Sequence, residues 1–206
     1  MTGQDIISAY ELYVDDANTL SSTEELALLN RVYHKVLNAR VWSFLVTSAS
    51  GVVSSSVPYI ALPSDFKYMS PNQLDQDTQA WYTVVFIGST YEPYKLISIG
   101  ERSNYRQTKG IFYLDNKNRR IVFTKQPTSA DAYDYDYVYQ PVDLTTATSP
   151  VFPSYFHDII FYGMAAEFDL IQQTEKQLSY NRENSDKYSA MLTLMALEDE
   201  RIKAGI

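Results

Sequence analysis

Only two side chains in this sequence, His34 and His157, titrate near neutral pH. His34 lies between Tyr33 and Lys35 in a stretch of helical periodicity, and His157 precedes Asp158 where another helix begins. Adjacent helical residues point about 100° apart, so His157 and Asp158 are poorly placed to work as a dyad. Both histidines read as structural or solvent-exposed. Asp131, Asp134 and Asp136 supply the hard oxygen atoms that calcium takes, yet strand alternation puts only Asp134 and Asp136 on one face. Asp115 to Arg119 lacks the acidic spacing and the glycine of an EF-hand loop, so a solvated sheet face and no metal are expected. The seven glycines are scattered, which leaves neither a phosphate-cradling loop nor a dinucleotide fingerprint. There is no G-x-S-x-G, and Ser48 to Ser56 is expected to be a small-residue loop. Cysteine is absent, which excludes disulfides, thiolate nucleophiles and cysteine-ligated metal sites. No cofactor and no catalytic residue is expected.

The elements around these residues fall into three blocks within one expected domain of residues 1–206: helices over 1–46, a β-rich insertion over 47–141, and helices over 153–203. The fold class is α+β, with helices from both termini and a mostly antiparallel β region between them. Ile6, Ile7, Tyr10, Tyr13 and Val14 recur at spacings of three and four, as on one face of a helix. A turn is expected at Asp15 to Leu20. Ser22 and Glu25 form an S-x-x-E capping box for a second helix, whose apolar face runs through Leu26, Leu29, Val32, Tyr33, Val36 and Leu37 and reaches Trp42. The middle block is rich in β-branched and aromatic residues at Val57 to Leu62 and Trp81 to Ile87, and it alternates over Lys95 to Ile99. Ile111 to Leu114 and Arg120 to Phe123 flank Asp115 to Asn118 as a hairpin, with Asn and Asp taking the left-handed turn positions. Over Ala132 to Gln140, Tyr133, Tyr135, Tyr137 and Tyr139 line one face of a strand.

Pro141 to Pro153 connects this region to a helix whose stripe, from Phe156 through Ile159, Ile160, Gly163, Met164, Phe168 and Ile171, suits packing on a sheet. Gly163 allows close backbone approach. Thr174 and Gln177 either recap a second helix or lie within one continuous helix. From Glu175 to Lys203 the pattern stays helical but thinly apolar, with Leu178, Tyr188, Leu192, Met195 and Ile202 on a narrow line. Packing along its own domain and docking on a neighbour both satisfy that pattern.

Eighteen tyrosines beside nine phenylalanines supply rings suited to interfaces with one packed and one wet side, or to strands. The net charge of −8 lacks the basic footprint of tight nucleic-acid binding, though an acidic surface can border a passage for DNA without holding it. The first ten residues lack the basic start and apolar run of a signal peptide, and no stretch approaches the roughly 20 apolar residues of a membrane span. A soluble chain with no membrane partner is expected.

The order of features resembles the tail tubular A and head-to-tail adaptor proteins of short-tailed bacteriophages. Paired helices end in Trp42-Ser43-Phe44, a strand leads into Leu62-Pro63-Ser64-Asp65-Phe66, and Val151-Phe152-Pro153 precedes a helix carrying Tyr162, Ala165, Ala166 and Phe168. The resemblance implies a ring, usually of twelve copies, beneath the portal protein, joined on its far side to a downstream tail or nozzle protein. DNA would be a transient, non-specific passenger, and the protein would be made in the host cytoplasm and reside at the head–tail junction of the virion. It further implies portal or subunit contacts at Leu178, Tyr188, Leu192, Met195 and Ile202. Trp42, Phe44 and the four tyrosines would serve the core or a neighbouring subunit. Two alternatives are a tail glycan hydrolase, needing carboxylates about 5–10 Å apart on separate strands, and a minor capsid or tail-completion protein with another ring partner.

Overall fold

The computed structural model describes residues 1–14, 20–54, 57, 59–71, 73–74, 81–88, 90–127, 131–172 and 175–204. Most of the turn expected at Asp15 to Leu20, the capping role of Thr174 and the side chain of Leu178 lie outside the described residues. The chain divides into two compact units, one made of 1–44 with 141–206 and the other of 45–140.

The helical unit contains α1 (Gly3–Val14) and α2 (Ser22–Asn38) from the first segment of the chain. In α1, Ile6, Ile7 and Tyr10 are buried, as their spacing predicts. The capping box of α2 is one residue earlier than expected: Ser21 accepts from the Glu24 backbone, and the Glu24 carboxylate accepts from the Ser21 backbone at 2.8 Å. Two overlapping S-x-x-E frames exist here, and the one in use turns Leu28 and Glu25 inward, leaving Leu26 half-buried. The helix stops at Asn38, so Trp42 reaches the core from a connecting segment rather than from the end of the helix.

The other two helices of this unit are α3 (Asp158–Gln172) and α4 (Glu175–Ala204). They are separate helices, and α4 runs back along α3, because Tyr188 packs beside Gly163. A Cβ at Gly163 would lie 2.4 Å from Val32 of α2 and 3.1 Å from the Tyr188 ring, so three helices meet there at backbone distance. The stripe Ile159, Ile160, Met164 and Phe168 is buried against α1, α2 and α4, not against a sheet. A 3.6-residue period identifies a covered face but not what covers it.

The segment 141–153 is tied down within this unit. The first amides of α1, which have no partner inside the helix, donate from Gly3 to the Thr148 carbonyl (2.8 Å) and from Gln4 to that of Thr146 (2.9 Å). Asn30 clasps Leu144 through both backbone groups, donating to its carbonyl at 2.9 Å and accepting from its amide at 2.7 Å.

The β-rich unit is a curled, mixed and mostly antiparallel sheet. Its strands are β1 (Val46–Val52), β2 (Tyr59–Ala61), β3 (Phe66–Met69), β4 (Gln73–Leu74), β5 (Trp81–Tyr82), β6 (Val84–Ile87), β7 (Glu92–Leu96), β8 (Ile111–Asp115), β9 (Arg120–Phe123) and β10 (Ala132–Tyr139). Among the described residues the main path runs β1-β10-β6-β7-β8-β9-β2, antiparallel except between β7 and β8, while β4 and β5 pair apart from it. The edge of β10 opposite β1 is shared by β6 at its start and β3 at its end. Since β3 follows β2 through Leu62-Pro63-Ser64-Asp65, the sheet curls back on itself and encloses one core that includes Val53, Ile60, Phe112, Ile121 and Tyr135.

The tyrosine ladder faces this core. Tyr133 and Tyr135 stack at 6.0 Å, Tyr135 and Tyr137 follow at 6.1 Å, and Phe66 continues the stack at 5.7 Å from Tyr137. Removal from water raises the pKa of each phenol in the ladder, that of Tyr135 the furthest. β1 corrects the loop expected at Ser48 to Ser56, since Thr47, Ala49 and Gly51 stand opposite Tyr137, Tyr135 and Tyr133. Those residues are small because the rings need the room: a Cβ at Gly51 would sit 2.7 Å from the Tyr133 hydroxyl.

The β8–β9 hairpin forms as expected, but Arg119 rather than Asn or Asp takes the left-handed position, at φ 50°. Its guanidinium donates to the carbonyls of Pro63 (2.7 Å) and Ser64 (3.1 Å), which holds the strained residue in place. In the same bend Asp65 accepts from the Tyr137 hydroxyl at 3.1 Å, and its carbonyl accepts from the Gln140 amide at 2.7 Å. Leu62-Pro63-Ser64-Asp65-Phe66 is thus the corner where the chain passes from β2, paired with β9, to β3, paired with β10.

Gly51→Val should force Tyr133 out of the ladder and cost about 1–3 kcal/mol, the usual range for overpacking. Urea denaturation of the purified variant checks the loss, and loss of near-ultraviolet tyrosine dichroism checks its cause.

Candidate functional site

Trp42 is fully buried, and its indole N–H donates to the Val36 carbonyl at 2.8 Å. Phe44 stacks on it with ring centroids 5.6 Å apart, and the Arg40 guanidinium lies 5.4 Å from the Trp42 ring centroid on the same residue cluster. These residues form the seat for the end of α4. The Asp199 carboxylate, 3% exposed, accepts from the Ser43 amide at 2.7 Å and from the Ser43 hydroxyl at 2.5 Å. Lys203 reaches Asp199 at 2.9 Å and also donates to the Val41 carbonyl at 3.1 Å, while Arg40 pairs with Glu200. Burial alone would raise the pKa of Asp199, but the Lys203 ion pair and the Ser43 donors outweigh it and hold the carboxyl below its ordinary value. A charge buried in this way is tolerated only with such partners.

Further along α4 the inward contacts continue. Met195 is 2% exposed, Tyr188 and Leu192 are half-buried, and buried Asn184 accepts from the Tyr13 hydroxyl at 2.8 Å. Glu167 of α3 is buried and meets Arg31 at 2.7 Å and also Lys35, joining α3 to α2. Of the described side chains named from sequence on this helix, Ile202 is clearly exposed, at 53%. Residues of a helix turn by about 100° each, so Leu194 and Leu197 lie on the side away from Met195, and they are 58% and 62% exposed. The sequence reading missed this second apolar face because both residues fall off the line drawn through Tyr188, Leu192 and Met195. Their spacing of three was its only signal.

The histidines have structural partners. His34 Nε2 lies 2.6 Å from Asp143, and His157 Nε2 donates to the Phe152 carbonyl at 3.0 Å while Nδ1 lies 3.1 Å from the Met1 amine. Burial lowers the pKa of His157, so it is held neutral. Among the described residues no group of three or more His, Asp or Glu is arranged to hold a metal ion, and no helix is long and apolar enough to cross a membrane. In the β-rich unit a polar recess of about 290 Å³ contains the Glu92–Lys109 ion pair beside Tyr94 and Lys125.

A family model described as SU10 adaptor protein matches residues 1–203. The chain belongs to the SU10 adaptor family. The match carries the head-to-tail adaptor part of the resemblance and makes the chain a phage structural adaptor, a virion component of the head–tail junction that works with portal and tail proteins. A search of the curated proteins found no match. In this SU10-type adaptor α4 has a covered inner face and an exposed outer one.

Trp42→Ala should destabilise the adaptor by about 3–5 kcal/mol, as loss of a fully packed large aromatic does, measured by chemical denaturation. Acid should weaken the fold through His157. Its folded pKa lies below the ordinary 6.5, so the unfolded chain binds more protons between the two values. The stability it contributes is therefore complete above 6.5 and is lost as pH falls toward the folded value. His157→Gln should flatten that part of the stability–pH curve, and an unchanged slope would assign the loss to other groups.

Proposed function

We propose that this adaptor forms a ring of copies, twelve by the pattern of the resemblance, that docks on the portal through the outer face of α4 and extends the DNA exit channel toward the tail. The observation that carries the proposal is that Leu194 and Leu197 stand exposed on a helix whose opposite face is locked by Met195 and Asp199. Exposed leucines on a long, already folded helix suit the helix-in-groove mode of recognition. Ile202, seven residues on from Met195, falls on the same side of the helix as Met195 and is exposed at its end, while Met195, Tyr188 and Leu192 act as the inner support of α4. The β-rich unit faces the tail component. An acidic channel wall repels the DNA backbone, so the duplex passes without adhering. The protein works by binding and turns over no substrate.

Removing α4 would be a poor test, because Gly163 would lose the Tyr188 ring packed beside it. The cleaner variant is Leu194→Asp with Leu197→Asp, which alters exposed positions only. Native mass measurement should show the wild-type adaptor as a monomer that adds to isolated portal rings as a full complement. The double variant should melt within a few degrees of wild type and fail to add. Undiminished addition by the double variant would overturn this choice of docking face.

A further inference from the structure

Among the described residues β1 pairs on one side only. Its register with β10, and the hydrogen bond from the Val53 amide to the Asp131 carbonyl at 2.8 Å, assign Thr47, Ala49 and Gly51 to the ladder with β10. The N–H and C=O groups of Ser48, Ser50 and Val52 therefore point out of the sheet. Ser48, Ser50 and Val52 are exposed, and the strand has none of the usual protections of an edge: no proline, no charge and no bulge.

The side chains beside this edge suggest what fits it. Ser50 and Asp134 share the outward face with Phe86, and Ser48 donates to Asp136 at 2.6 Å. Among the described residues neither Asp134 nor Asp136 has a lysine or arginine partner. A groove of about 500 Å³ adjoins the edge, with Ser50, Val52, Phe86, Tyr91 and Asp134 in its walls. Val52 and Tyr91 are 65% and 64% exposed. A row of unpaired backbone groups accepts only an extended chain, and the two carboxylates one strand in from it attract cations.

We infer that β1 is a strand-addition site for an extended segment of a partner protein bearing lysine or arginine at alternate positions. Main-chain bonds to Ser48, Ser50 and Val52 supply the pairing. The basic side chains lie over Ser48 and Ser50, their stems along Val52 and Phe86 and their charges toward Asp134 and Asp136. The inference uses the β-rich unit alone and is independent of how α4 docks.

The test exploits the alternation of the ladder. Ser50→Pro removes an N–H that points outward while leaving the bonds of Ala49 and Gly51 to β10 in place, so the unit stays folded. Binding of a fluorescein-labelled decapeptide of alternating lysine and valine is followed by anisotropy, beside the same peptide with glutamate for lysine. The wild-type protein should bind the lysine peptide and not the glutamate peptide, with affinity falling as salt rises. Ser50→Pro should weaken binding by about tenfold or more at unchanged circular dichroism. Asp134→Asn with Asp136→Asn should weaken it and remove most of the salt dependence. If Ser50→Pro does not fold, Ser48→Lys with Ser50→Lys replaces it, since it keeps the backbone and repels the lysine peptide. Equal binding by wild type and the edge variants would overturn the inference. So would sedimentation showing that the wild-type chain self-associates and Ser50→Pro does not, because the occupant would then be a second copy.

Discussion

Four large rings on one face of one strand need space, and the β-rich unit is organised around giving it to them. Tyr133, Tyr135 and Tyr137 stack at about 6 Å from ring to ring, which leaves the neighbouring strand room for little more than Thr47, Ala49 and Gly51. The bend at Leu62 to Phe66 follows from the same ladder. Phe66 extends the stack and Asp65 receives the Tyr137 hydroxyl, so the chain passes there from β2, beside β9, to β3, beside β10. The burial of these phenols is worth having because each ring brings a large apolar area and finds a polar partner or the rim for its hydroxyl.

The helical unit follows a different logic, in which buried polar groups determine where otherwise similar apolar faces meet. Apolar stripes attract without direction. Asp199 with Ser43 and Lys203, Glu167 with Arg31 and Lys35, Asn184 with Tyr13, and Asn30 with Leu144 each join two segments far apart in sequence. A misplaced helix would leave at least one of these groups buried without a partner, a penalty of about 1–3 kcal/mol for each. Such contacts select a single register for α4, whose weak amphipathic pattern could not.

Strong periodicity made α1, α2, α3, the β8–β9 hairpin and β10 legible from residue order alone. What escaped did so for identifiable reasons. β1 has no β-branched run at its centre, since its residues were selected for smallness against the rings, and small residues look like a loop. The capping box was displaced by one residue because Ser21-Ser22-Thr23-Glu24-Glu25 contains two equivalent frames, and the choice depends on burying Leu28. Asp199, the anchor of α4, carries no local signal, because its role depends on Ser43, remote in the chain. Leu194 and Leu197 were passed over because a sequence stripe cannot show which of two stripes is already covered.

The rigid seating of α4 also has a kinetic meaning. A helix that is already formed and held does not have to order itself on meeting a partner, so encounter proceeds as the collision of two finished shapes. Single contacts through two leucines would then be made and lost quickly. In the ring proposed above, a misplaced copy would leave before its neighbours arrived, while a correctly placed one would be retained by those on either side. In a circular assembly of identical parts, such reversibility lets errors be removed before the circle closes.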